Sequence, residues 1–130
     1  MDTKAIEEQA RKIKDIVIGP NNPLKMDPAY AEFTELFDTI GKNVIFGQVW
    51  SRETLPLKTR SLLMIAMLTA LDKPDQLRVH IQGALNTGNS RAEISEVLLQ
   101  AAFYCGFPAA GSAYRIARDV FRKIDANTGS

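Results

Sequence analysis

Apolar residues recur every three or four positions along most of the chain, and that period predicts helices. Ala5, Ile6, Ala10, Ile13, Ile16 and Val17 form one stripe over residues 2–18, where Gly19 and Pro20 end the pattern. PNNPLKMD has turn chemistry, and Asp27 before Pro28 reads as an N-cap followed by proline at the first helical position. Tyr30, Phe33, Phe37 and Ile40 then mark a face expected to be buried. After Gly41 comes a bulky cluster, Val44, Ile45, Phe46, Val49 and Trp50, for which a short helix is expected. Residues 57–71 are apolar nearly all round, the pattern of a helix central to a core or an interface. Asp72 is expected to cap a fourth helix with Pro74 in its first turn and an inner stripe of Leu77, Ile81, Ala84 and Leu85. That helix is expected to end near Thr87, with Gly88 as its stop.

Ser90 with Glu93 three residues later is a capping-box signature, opening a fifth helix whose apolar side is Ile94, Val97, Leu98, Ala101, Ala102 and Cys105. Pro108 opens the last helix, where Ala109, Ala113, Ile116, Ala117, Val120, Phe121 and Ile124 repeat at helical spacing. Residues 125–130 are left as a polar, flexible tail. With no strand alternation and no internal repeat, the chain reads as a single all-α domain, 1–130, of about six helices.

Composition narrows the function classes. A chain of 130 residues is the size of one domain with one core. Its net charge is +1, from 16 basic and 15 acidic residues, and the basic residues do not cluster, which argues against nucleic acid as a partner. Cys105 is the only cysteine, so no intrachain disulfide and no thiolate metal cluster can form, and a reducing, cytoplasmic setting fits. No apolar signal core follows the N-terminus, and no run approaches the length of a membrane span.

The one histidine, His80, lies in LRVHIQGALNTG. On a helical wheel it falls beside the inner stripe, roughly 60 to 80° from its centre. A histidine at the core's rim satisfied by one hydrogen bond fits that border position. So does a proton-transfer group, since Gly83 one turn away leaves room for a ligand or another helix and an imidazole titrates near pH 6.5. Glu93 and Glu96 are candidate acids or bases, although Glu93 stands where a capping box needs it and Glu96 suits a surface ion pair. Arg52, Lys58 and Arg60 flank the start of the third helix and suit an anionic substrate, because guanidinium groups grip carboxylates through two hydrogen bonds; solvated surface charge is the alternative. Tyr104 and Cys105 close the fifth helix, the thiol expected as a buried structural one. There is no G-x-S-x-G, H-E-x-x-H, glycine-rich phosphate loop or C-x-x-C.

The run FGQVWSRETLPLKTRSLLMIAMLTAL, followed by HIQGALNTGNSRAEISEVLLQAAFYCGFPAAGSAYRIARDVF, resembles the carboxymuconolactone decarboxylase family over roughly residues 30–124. HIQGALNTG, EISEVLLQ and YCGFPAAGSAYRIA are most similar to its 4-carboxymuconolactone decarboxylases of aromatic catabolism. In the wider alkylhydroperoxidase-D-like superfamily the corresponding helix carries C-x-x-C-x-x-x-H. Here the eight residues are KPDQLRVH, with Lys73 and Gln76 at the cysteine positions, so a two-thiol peroxidase cycle is not expected.

The resemblance implies an alkylhydroperoxidase-D-like helical fold and cofactor-independent decarboxylation of 4-carboxymuconolactone to 3-oxoadipate enol-lactone, with neither metal nor organic cofactor. It implies a small carboxylate as substrate and a homo-oligomer, a trimer or a hexamer, with sites near subunit interfaces. On this basis His80 is the expected proton donor or oxyanion partner, and one or both of Arg52 and Arg60 hold substrate carboxylates. Glu93 or Glu96, from the same or another subunit, orients the imidazole, while Trp50 and Tyr104 line an apolar wall. WSRETL stands where close decarboxylases often read WSRPGL, which bears on the loop beside Arg52 and on substrate range. The competing readings are a paralogue acting on another small molecule or through Cys105 as a weak thiol peroxidase, and a non-catalytic helical assembly protein.

Overall fold

The computed structural model describes residues 2–19, 29 and 31–128. Helices α1 (Thr3–Val17), α2 (Ala31–Val44), α3 (Leu57–Ala70), α4 (Pro74–Asn86), α5 (Arg91–Cys105) and α6 (Phe107–Asn127) follow in order, and the described residues contain no strand. The expected all-α class and helix number therefore hold. The anticipated Asp27–Pro28 cap and Tyr30 lie outside the described residues.

One core joins α3, α4, α5 and α6 through Ile65, Leu68, Leu77, Ile81, Ile94, Leu98 and Ile116. A second, smaller one lies under α1, where Ala10, Ile13 and Val17 meet Phe46 and Trp50. Two close approaches define it. A Cβ on Gly47 would come within 2.9 Å of the Ile6 carbonyl oxygen, and one on Gly83 within 2.8 Å of the Val17 carbonyl oxygen, so neither position admits a side chain without moving α1. The space that Gly83 leaves is thus filled by α1, and not by a ligand. The amide of Asn86 donates to the same Val17 oxygen at 3.1 Å.

The bulky cluster after α2 is a π-helical turn, Ile45–Val49, closed by Trp50 N–H to Ile45 O at 2.7 Å. Its extra residue per turn brings Phe46 and Trp50 together onto α1, their rings 5.8 Å apart. Three sequence expectations are corrected here. Phe33, Phe37 and Ile40 are exposed, with Phe37 at 61%, because α2 rests on α1 and the π turn by its other side. Lys73, and not Asp72, is the N-cap of α4: Pro74 sits in the first turn, and Asp72 takes a left-handed φ of 55° in the preceding turn. Helix α6 continues through the anticipated tail to Asn127, with Asp125 held by Arg91 at 2.6 and 3.1 Å.

Candidate functional site

His80 stands on the outer edge of the α4 stripe between buried Val79 and Ile81, as its border position on the wheel implied, and its ring is half-buried. It faces Trp50 across the seam between the two cores, ring centroids 6.1 Å apart. Nδ1 is buried without a hydrogen-bond partner. Burial lowers the imidazole to about 4, because transfer out of water penalises the charged ring and no carboxylate compensates. At neutral pH the ring is uncharged. One of its nitrogens then carries a proton to donate and the other a lone pair to accept.

Trp50 also forms part of a cleft of about 650 Å³ between α1 and the 50–57 loop, a volume suited to a small molecule. Ile13, Leu55 and Leu57 give it an apolar floor, while Lys12, Arg52, Glu8 and Glu53 bring charge to its walls. Arg60 organises this loop from behind. Its Nε donates to Leu55 O and its Nη2 to Arg52 O, both at 3.2 Å, fixing the backbone that carries Arg52. The two arginines suggested by sequence are therefore adjacent but differently engaged, Arg52 on the cleft wall and Arg60 on the main chain.

The glutamates are separate from His80. Glu93 uses one oxygen to accept from Ser90 N–H at 3.1 Å, closing the anticipated capping box, and its other faces Lys58 Nζ at 3.3 Å. The hydrogen bond from the Ser90 backbone, and then the Lys58 ammonium, hold its carboxyl below the usual carboxylate range, so it stays ionised at neutral pH. Glu96 is exposed on α5. No hydrogen bond or ion pair links either glutamate to His80 within the chain. Neither glutamate is thus the orienting carboxylate of His80 in its own chain.

Tyr104 is also displaced from the expected wall. It is 85% exposed and lines, with Leu63, Ala66 and Cys105, a separate apolar groove of about 300 Å³ between α3 and α5. Cys105 is exposed, contrary to the buried thiol expected from its helical spacing. The reason is that the α5–α6 corner projects beyond the core, leaving Phe103 and Phe107 exposed as well.

Sequence reasoning missed two features, one on the cleft and one in the core. Lys12 carried no signal, being one cation among the polar positions of an amphipathic helix. Ser61 did carry one, as a lone hydroxyl in an apolar run. It is fully buried and accepts a hydrogen bond from Thr87 Oγ1 at 2.9 Å, while Asn89 Nδ2 donates to Lys58 O at 3.0 Å. These bonds clamp the α4–α5 corner to the start of α3.

Comparisons with known proteins identify the family. The model of the carboxymuconolactone decarboxylase family matches residues 31–119, which include the π turn, the Arg52 loop and His80. The chain belongs to the carboxymuconolactone decarboxylase family. It is 32% identical over 117 residues to 4-carboxymuconolactone decarboxylase of Acinetobacter baylyi, covering 90% of this chain and 87% of that protein. It is 41% identical over 64 residues to the nitrosuccinic acid decarboxylase npaB of Metarhizium robertsii, covering 49% of this chain and 45% of that protein. An uncharacterized 15.0 kDa protein of Paracoccus denitrificans is 40% identical over 83 residues, 62% of this chain and 61% of its own length.

Proposed function

We propose that the protein is a carboxy-lyase that decarboxylates 4-carboxymuconolactone without a cofactor, giving 3-oxoadipate enol-lactone in aromatic catabolism. Similarity to a 4-carboxymuconolactone decarboxylase along nearly the whole chain supports the substrate. The observation that carries the mechanism is a neutral, half-buried His80 in ring contact with Trp50, which also lines the cleft walled by Arg52, although His80 itself does not.

The substrate is its own electron sink. When the bond from the γ carbon to the carboxylate breaks, carbon dioxide leaves and the electron pair flows through the ring double bond onto the lactone carbonyl oxygen. A proton then adds at the α carbon. The enzyme must hold the carboxylates, stabilise the dienolate and supply the proton. Arg52 grips a carboxylate, and Arg60 keeps Arg52 in place. His80 donates a hydrogen bond to the developing oxyanion, whose charge raises the affinity of the imidazole for a proton; the ring takes that proton from solvent, passes it to the α carbon and returns to its neutral form. Because the ring is uncharged before reaction, it does not stabilise the departing carboxylate in the ground state.

The active form is a homo-oligomer, a trimer or a hexamer, in which a neighbouring subunit supplies Glu96 and Tyr104 to complete the site, Glu93 being engaged by Ser90 and Lys58. Exposed Phe33, Leu36, Phe37 and Ile40 on α2, and Phe103 and Phe107 at the α5–α6 corner, support assembly, since contiguous apolar surface of this kind marks contact sites. A cytoplasmic location accords with the lone cysteine. Among the described residues no helix is long and apolar enough to cross a membrane.

Nitrosuccinic acid, named for one relative, is also a small acid bearing an electron-withdrawing group and two carboxyls. Carbon dioxide release by the purified protein from 4-carboxymuconolactone and from nitrosuccinate, with a chelator present, tests the function. Fast release from the lactone is expected. Release from nitrosuccinate alone would replace the substrate, and release from neither would remove the activity.

A further inference from the structure

The cleft between α1 and the 50–57 loop has one cation on each wall. Arg52 comes from the loop and Lys12 from the exposed side of α1. Neither forms an ion pair within the described residues: the carboxylate partners on the protein surface go to Lys58, Arg91 and Arg118 instead. Glu8 and Glu53 border the same cleft, so its charges balance and its cations stand singly, not pooled as they would be for a phosphate cluster. Ile13, Trp50, Leu55 and Leu57 supply apolar surface between them.

Two separated cations across an apolar floor match a small molecule with a carboxylate at each end. Arg60, the other arginine suggested by sequence for this task, has Nε and Nη2 donating to the backbone of the loop. We propose that Lys12 is the second substrate-binding cation, holding the carboxylate that is retained while Arg52 holds the one at the opposite wall, so that the cleft selects small dicarboxylates over monocarboxylates. This assignment rests on the carboxylate-substrate reading above.

Lys12 is suited to discriminate. It is an ammonium on a flexible stem that reaches for a charge without demanding a planar partner, whereas a methyl ester in the same place offers it no charge. The contribution is to binding and not to bond breaking, so it appears in KM.

Trp50 is the only tryptophan, and it lines the cleft, so its emission reports occupancy directly. The experiment titrates the full-length protein with glutarate and with glutarate monomethyl ester, in the wild type and in Lys12→Met and Lys12→Arg. In the wild type glutarate binds up to about fivefold more tightly than the ester, the effect expected of one exposed charge pair. Lys12→Met abolishes that preference by weakening glutarate alone, and Lys12→Arg retains it. Equal glutarate affinity in wild type and Lys12→Met, or no response of Trp50 to glutarate in the wild type, overturns the assignment.

Turnover of 4-carboxymuconolactone by the same variants separates the two claims. A KM raised up to about fivefold in Lys12→Met with kcat kept within about twofold supports both, as expected for loss of uniform binding of one exposed charge pair. Turnover with an unchanged KM overturns the role of Lys12 and leaves the decarboxylase standing. Lys12-dependent glutarate binding without turnover removes the decarboxylase and leaves the dicarboxylate site.

Discussion

Acidification from pH 7 to pH 4 isolates the energetic consequence of burying His80, because the chain has no other histidine. The folded imidazole titrates at about 4 and the unfolded one near 6.5. Between those values the unfolded state binds the extra proton, so stability falls as pH drops through 6.5 and levels off below 4. A shift of that size corresponds to a loss of about 3 kcal/mol across the window. Glu93 and Asp125, both held below their ordinary values by hydrogen bonds, lose their contributions in the same direction as pH falls. Subtraction removes them. Urea unfolding of the wild type and of His80→Gln, each at pH 7 and at pH 4, gives the His80 contribution as the difference between the two pH dependences. The proton resonance at imidazole C2 gives the folded titration directly. A midpoint near 6.5, or parallel stability curves for the two proteins, would refute both the burial argument and the neutral imidazole on which the proposed chemistry depends.

Other perturbations address the frame and the assembly. Gly83→Ala forces a methyl group to within 2.8 Å of the Val17 carbonyl oxygen; thermal unfolding should show a loss of roughly 1–3 kcal/mol, as for overpacking against backbone. The double substitution Phe37→Glu and Ile40→Glu places two charges on exposed α2 positions, so the isolated chain should keep its helical circular dichroism. Sedimentation should show a smaller assembly than the wild type, and an unchanged sedimentation coefficient would exclude the α2 face from the interface.

Which parts of this molecule could be read from the chain follows from what periodicity encodes. The capping box at Ser90 and Glu93, the inner stripe of α4 and the border placement of His80 are local properties, and each appears in the fold at those positions. Periodicity also identified the apolar face of α2, but it cannot say which surface covers it. Hence Phe33, Phe37 and Ile40, read as buried, are exposed on the single chain. Cys105 has the spacing of a buried residue and is exposed because helix length, not spacing, carries the α5–α6 corner past the core.

The site depended on contacts between distant segments. That Trp50 meets His80 follows from a π turn which no local pattern announced. Glu93 had two candidate roles in the sequence, and the fold commits both of its oxygens to Ser90 and Lys58. Arg52 and Arg60 looked equivalent. Only the path of the loop separates the one facing the cleft from the one bracing the main chain.

Turnover of freshly prepared 4-carboxymuconolactone, followed by loss of its ultraviolet absorbance in the wild type and in His80→Ala, tests the central claim most directly. Rapid loss with the wild type, and a rate lowered at least about a hundredfold in a folded His80→Ala protein, is the predicted result for a group that handles the proton in the transition state. Near-normal turnover by His80→Ala would contradict it and return His80 to the rim of the core.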